Sequence, residues 1–260
     1  MRRYSSDWYW YYAINYSLVI IIIFPIYWTL ISSFKKPSEL ITSEPTFYPH
    51  DLTLQYYDQI WNFDRIKVLQ DTETLDTNSS GVEVEEKFRL DGEGVKRPFI
   101  NSAIVSAGTI ILTIIVCTLG GYALTVLNTP FKNFFFLLVI LPILIPGISL
   151  IIPLYKLLKE IGLTNSHLGL ILIHTCGMLP LGIFMMRNAF NSIPTSLREV
   201  AMLEGSSELK IITSVMLPLA IPGLLTVMVF AMYVSWNDYI YAFIFINSPE
   251  NTMLNISLMK

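Results

Sequence analysis

Five stretches of this chain contain no Asp, Glu, Lys or Arg: residues 8–34, 98–131, 133–155, 161–186 and 211–237. Each exceeds the ~20 residues that an α-helix needs to cross a hydrocarbon layer ~30 Å thick. Within that layer the backbone N–H and C=O groups find no water. A spanning segment must therefore satisfy them internally, as a helix or in a closed barrel. Barrel strands would read as short alternating segments, whereas these runs are long and apolar throughout. Composition agrees, with 53% hydrophobic and 14% charged residues against about 25% charged in ordinary soluble domains. The expected fold class is all-α: a polytopic transmembrane helical bundle with five spans in this chain.

The first run is read as a retained helix over 12–31. It is longer than the apolar core of a secretory signal, and Phe34-Lys35-Lys36 follows it instead of a small-residue cleavage site. Arg2, Arg3 and the aromatics Trp8 to Tyr12 precede it, as suits a water–lipid boundary. The second helix is expected over 99–127, with Gly108, Gly120 and Gly121 offering close contacts. A turn at Asn128-Thr129-Pro130 leads to a third helix over 134–154, kinked by Pro142, Pro146 and Pro153. The fourth is expected over 167–186, interrupted at Gly177 and Pro180, and the fifth over 211–237.

The polar region 35–97 holds 13 of the 20 acidic residues and 8 of the 17 basic ones, a net of −5 where the whole chain is −3. No nucleophile–base arrangement accompanies its carboxylates, so it reads as a solvated loop. Asn78-Ser79-Ser80 matches a glycosylation sequon that matters only in a eukaryotic secretory route. Cys117 and Cys176 fall inside spans and read as small buried residues. His50, His167 and His174 are isolated, His174 as a packing residue, and no spacing suggests a metal site or a catalytic group. Basic residues flank spans on both sides, Arg187, Arg198 and Lys210 against Lys35, Lys36, Lys96 and Arg97, so charge alone does not orient the chain.

The segment between the fourth and fifth runs is the most informative. Ser196 and Glu199 have capping-box spacing, which predicts the start of a short helix. Leu197, Val200, Ala201 and Glu204 recur at the spacing of one helix face. Gly205 is suited to ending that helix in a left-handed turn, and Ser206 to opening the next, which runs through Leu217-Pro218 into the fifth span. A short helix outside the bilayer between two spans is shaped to dock into a groove on another protein.

Glu199-Val200-Ala201, then Gly205, Val215, Leu217 and Pro218, resembles the EAA signature of ABC importer permeases. That pattern reads Glu-Ala-Ala, three residues, Gly, nine residues, Ile, one residue, Leu-Pro. Val200 and Val215 replace its Ala and Ile, and Glu204 stands where Asp is frequent. Phe24-Pro25, Ser33-Phe34-Lys35, Pro37-Ser38-Glu39-Leu40, Asn101-Ser102 and Gly121-Tyr122-Ala123-Leu124 resemble the maltose-type carbohydrate branch. So do Ile152-Pro153-Leu154-Tyr155, Gly162-Leu163-Thr164-Asn165 and Trp236-Asn237-Asp238-Tyr239. The likeness spans the chain except 64–96, which resembles an insertion.

The resemblance implies a type I permease subunit of a binding-protein-dependent importer, in a bacterial- or archaeal-type inner membrane, with its N-terminus cytoplasmic. It divides the chain into the tail and first helix (1–34), an extracytoplasmic polar loop (35–97), and a core (98–260) carrying a cytoplasmic coupling loop at 187–210. Its implied partners are a second permease subunit, two ATPase subunits, an extracytoplasmic solute-binding protein and membrane lipid, with no nucleic acid. ATP and Mg belong to the ATPase subunits and no cofactor to this chain, which has no GxxxxGK[ST] loop and is not expected to be an enzyme. Glu199 is assigned to fixing the short helix and its contact, Val200 and Ala201 to a small docking face, and Gly205 to its sharp end. Glu204, Leu217 and Pro218 complete the coupling set. Trp236, Asn237, Asp238 and Tyr239 are candidate pathway residues, with Asp238 equally suited to anchoring a helix end.

The family normally has a sixth span, so the resemblance also predicts that a last helix is missing. Three rival readings are an ion-coupled secondary transporter, an intramembrane enzyme and an ABC permease for peptides or amino acids. The first predicts charges within spans and internal repeats; the second predicts paired catalytic groups; the third shares every feature above except the solute.

Overall fold

The computed structural model describes residues 7–40, 46–54, 57, 95–128 and 130–259. Residues 64–94 of the expected insertion, the sequon at Asn78 and Thr129 of the expected turn lie outside the described residues. Every regular element among the described residues is helical. Among the described residues three helices are long and apolar enough to cross a membrane, and five spans result when each of two bent pairs counts as one. The chain divides into two compact units, residues 1–63 and 64–260.

In the first unit the helix Asp7–Ser33 runs unbroken through Pro25. Its apolar residues are exposed within the chain, as suits a surface covered by lipid or another subunit. At its end Lys35 is buried, its ammonium donating to the Thr46 carbonyl and lying 4.7 Å from the Trp28 ring centroid. Lys36 pairs with Asp51 at 2.8 Å.

The second unit is a helical bundle. Its first long helix, the second span, is Lys96–Thr125. The third span is bent, as its prolines predict, but sharply and at one place. Lys132–Leu144 and Gly147–Glu160 meet at 95°, because Ile145 precedes a proline and is driven out of the helical region, to φ −92° and ψ 121°. Pro146 itself is extended, at φ −58° and ψ 123°. Pro153 causes no such break, since it lies in the first turn of Ile151–Glu160, where its missing N–H has no intrahelical partner.

The fourth span corrects a second expectation. It runs His167–Asn191 without interruption at Gly177 or Pro180. Pro180 is buried against neighbouring helices, which hold the helix across the lost hydrogen bond. Ser166 caps its start, Oγ accepting from Gly169 N at 3.1 Å.

The fifth span is bent by 83° between Glu208–Leu219 and Ile221–Trp236. Ala220 sits at the break with φ −88° and ψ 4°, and Pro222 has no N–H to give to the carbonyl of Pro218. Beyond it come Ile240–Phe245 and Leu254–Met259, two short helices that the sequence reading does not anticipate.

The second and fourth spans pack most extensively, and the second arm of the fifth span packs on both. The approach is close. A Cβ on Gly182 would sit 2.5 Å from Cys117 Sγ, so only glycine lets these two backbones meet there. Two buried clusters result. One gathers Cys117, Tyr122, Met186, Phe190, Ala201, Ile211 and Val227. The other gathers Val105, Leu158, Leu170, Ile173, Ala242, Phe245 and Ile256.

Candidate functional site

The short helix between the fourth and fifth spans is Thr195–Leu203. It starts earlier than the capping-box reading requires. Pro194, at φ −59° and ψ 130°, holds the N-cap position and no side chain caps the helix, because proline has no side-chain acceptor to offer the first-turn N–H groups. Its end follows expectation: Gly205 takes φ +79°. Gly205 N donates to Met202 O at 3.0 Å and Ser206 N to Ala201 O at 3.1 Å, the paired bonds of a Schellman turn. Since Ser206 is consumed in that turn, Ser207 and not Ser206 caps the next helix, its Oγ accepting from Lys210 N.

The expected single face is split. Ala201 is buried in the first cluster, with Val215 and Leu217 packed against that cluster. Val200 is 54% exposed and Leu203 89%, with Leu197, Met202 and Leu209 also open. Ala201 thus seats the helix on the bundle while its neighbours form an apolar outer ridge. The two residues cannot share a docking face, because they stand about 100° apart on the helix. Glu199, Glu204 and Pro218 are exposed.

What pins the helix is a set of polar residues outside the expected coupling set. Arg198 Nη2 donates to Glu208 Oε1, and Arg198 Nε donates to the Tyr122 hydroxyl at 3.3 Å. Tyr122 in turn donates to Glu208 Oε2 at 2.6 Å. The hydrogen bond with Glu208 raises the Arg198 pKa above its ordinary value, so the guanidinium stays charged. Opposite charges on either side of Gly205 are the one signal in the sequence that could have suggested the Arg198–Glu208 pair. Tyr122, from the second span, lies in the Gly121–Leu124 stretch that carries the resemblance, but nothing along the chain pairs it with Glu208.

The second candidate set is Trp236 to Tyr239. Trp236 meets Phe99 edge to face at 5.5 Å, and Tyr239 stacks on Phe243 at 5.5 Å. The Asn237 side chain donates to Tyr233 O at 2.9 Å. Asp238 anchors a helix end: its Oδ1 accepts from Tyr241 N at 3.1 Å and its Oδ2 from Ala242 N at 2.9 Å. It also faces His174, Oδ2 lying 3.4 Å from Nε2. Asn165, which ends the Gly162–Asn165 stretch of the resemblance and has no role assigned from the sequence, takes φ 56°. Its Oδ1 accepts from Asn247 N, Ser248 N and Ser248 Oγ, each at 3.0 Å. Among the described residues no cluster of His, Cys, Asp and Glu could hold a metal ion.

Comparison with known proteins gives the family. Residues 114–259 match the model of the family described as binding-protein-dependent transport system inner membrane component. The chain is 30% identical to the inner membrane ABC transporter permease protein YcjP of Escherichia coli (strain K12), over 92% of this chain and 76% of that protein. It is 27% identical to the sulfoquinovosyl glycerol transport system permease protein SmoH of Agrobacterium fabrum (strain C58 / ATCC 33970), over 91% and 73% of the respective chains. Its fold is similar to a chain in the crystal structure of a bacterial ABC transporter involved in the import of the acidic polysaccharide alginate. That match has a TM-score of 0.74 at 20% identity and covers 99% of this chain and 82% of the other. The family match covers more than half of this chain, and the chain belongs to the family of binding-protein-dependent transport system inner membrane components, the multi-pass permeases of ABC importers.

Proposed function

We propose that this permease carries a carbohydrate and that the helix Thr195–Leu203 couples it to ATPase subunits. The observation that carries the coupling role is the opposition of two surfaces on one short helix. Ala201 and Arg198 tie it to the bundle, while Val200 and Leu203 project an exposed apolar ridge. Force applied at the ridge passes through Glu208 to the fifth span and through Tyr122 to the second. Glu199 and Glu204 rim the ridge with charge, which suits a partner surface with basic residues. The carbohydrate assignment is supported by the relative named for sulfoquinovosyl glycerol transport and by the alginate importer that shares the fold.

In this reading the short helix lies on the cytoplasmic side, as does the N-terminus, and residues 35–97 lie outside. The assembly contains a second permease subunit, two ATPase subunits that bind ATP and Mg, and an outer solute-binding protein. Trp236 and Tyr239 offer ring surfaces to the pathway, with Asn237 beside them; Asp238 is occupied by its helix end.

The test is an exposed double change, Val200→Asp with Leu203→Asp. It should leave the chain in the membrane at normal amounts and release the ATPase subunits on purification. Retained ATPase subunits would overturn the coupling role. Uptake by the assembled importer, assayed across carbohydrates, peptides and amino acids with its binding protein, decides the solute class.

A further inference from the structure

A second junction, built around Asp238, ties together three segments far apart in sequence. The carboxylate accepts two backbone N–H groups and so fixes the first turn of Ile240–Phe245. Its Oδ2 faces His174 of the fourth span at 3.4 Å, with the side chains only 10% and 3% exposed. The Tyr241 ring meets the His174 imidazole edge to face, centroids 6.2 Å apart. The Tyr241 hydroxyl then reaches out and donates to the Gly147 carbonyl at 3.1 Å. Gly147 is the first residue of the second arm of the third span, directly after the 95° break. Among the described hydrogen bonds, this is the one side-chain donor to the backbone of that bend.

We propose that His174, Asp238 and Tyr241 are positioning residues that latch the bend of the third span to the fourth. The latch opens and re-forms as the permease alternates its access. This rests on the reading of the chain as an ATP-driven permease. A broken span is a natural hinge, because its helical ladder is already interrupted, and alternating access needs elements with two discrete arrangements. The parts of the junction differ in strength. Asp238 is held by three groups in a buried setting, so it forms the fixed base. The Tyr241–Gly147 bond is a single neutral contact on an exposed segment, so it is the part that opens.

The experiment uses the assembled importer in lipid vesicles, with Cys176→Ser to remove the exposed native thiol and Ser149→Cys as a maleimide target on the bend. Labelling rates are compared without nucleotide and with ATP trapped by vanadate. The parent should label at different rates in the two conditions. Tyr241→Phe, which removes only the hydroxyl, should bring the two rates together by about fivefold, the effect of one net hydrogen bond on a two-state balance. His174→Ala should do the same by loosening the base. The amount of Tyr241→Phe chain in the membrane should stay at the parental value, and its melting temperature should fall by no more than the loss of one hydrogen bond brings, which separates positioning from folding. An unchanged rate ratio in Tyr241→Phe would overturn the latch alone. Equal rates in the parent would overturn the nucleotide-driven reading beneath it.

Discussion

The Tyr122 hydroxyl donates to Glu208 Oε2 at 2.6 Å, joining residues 86 positions apart. Arg198 closes the set onto the same carboxylate. Tyr122→Phe removes both the bond to Glu208 and the longer one accepted from Arg198 Nε, and keeps the buried ring against Phe190, whose centroid is 5.7 Å away. The expected cost is about 1 kcal/mol of unfolding free energy, with a larger loss for Glu208→Ala, which strands Arg198. The Glu208 side chain is 43% exposed, so solvent screening limits its share. Denaturant unfolding of the detergent-purified chain measures both, and equal stabilities for parent and Tyr122→Phe would show that the bond contributes nothing.

Gly205 has no atom within 4 Å of a built Cβ, so a side chain there meets open space and the cost is carried by the backbone at φ +79°. Gly205→Leu should lose ~1–2 kcal/mol for a left-handed L-residue, and Gly205→Asn clearly less, since asparagine adopts that region more readily. In the assembled importer Gly205→Leu should also uncouple transport from ATP hydrolysis. Fully coupled transport in that variant would remove Gly205 from the coupling site.

Gly182→Ala drives a methyl to 2.5 Å from Cys117 Sγ. Overpacking of this kind costs about 1–3 kcal/mol. Cys117→Ala removes the sulfur and leaves its Cβ at 3.4 Å and Val227 Cγ1 at 3.6 Å, so the double variant should recover most of the loss. A thermal melt of the two single variants and the double shows the coupling as non-additivity.

Asn165 combines a left-handed backbone with an oxygen that takes three donors. Three replacements separate these roles. Asn165→Gly keeps the backbone and loses the acceptor, Asn165→Asp keeps the acceptor, and Asn165→Ala loses both. The expected order of stability is Asp above Gly above Ala, with Ala losing roughly 2–4 kcal/mol from stranded N–H groups and strain together. Protease sensitivity of the 246–253 segment is a second readout, and it should rise in Gly and Ala only.

The class of the protein and the place of its signature were legible along the chain. Apolar runs of sufficient length dictate helices in lipid whatever their neighbours do. Pro146 foretold a bend, and the spacing of Gly205 foretold a turn, because both act through their own backbone. How far each proline bends the chain was not legible. Pro153 and Pro180 are absorbed where Pro146 breaks the helix, and the difference lies in the turn position and the packing around each.

The sequence by itself determined five apolar spans and a short helix ending at Gly205. Local chemistry suffices for both: hydrogen-bond closure in lipid and a left-handed cap. Only the tertiary structure decided that Ala201 faces the bundle while Val200 faces out, and that Tyr122 and Arg198 share Glu208. It alone brought His174 to Asp238. These are contacts between helices distant in sequence. They depend on how closely the second and fourth spans approach at Gly182 and Cys117, and helix spacing set by packing has no local signature.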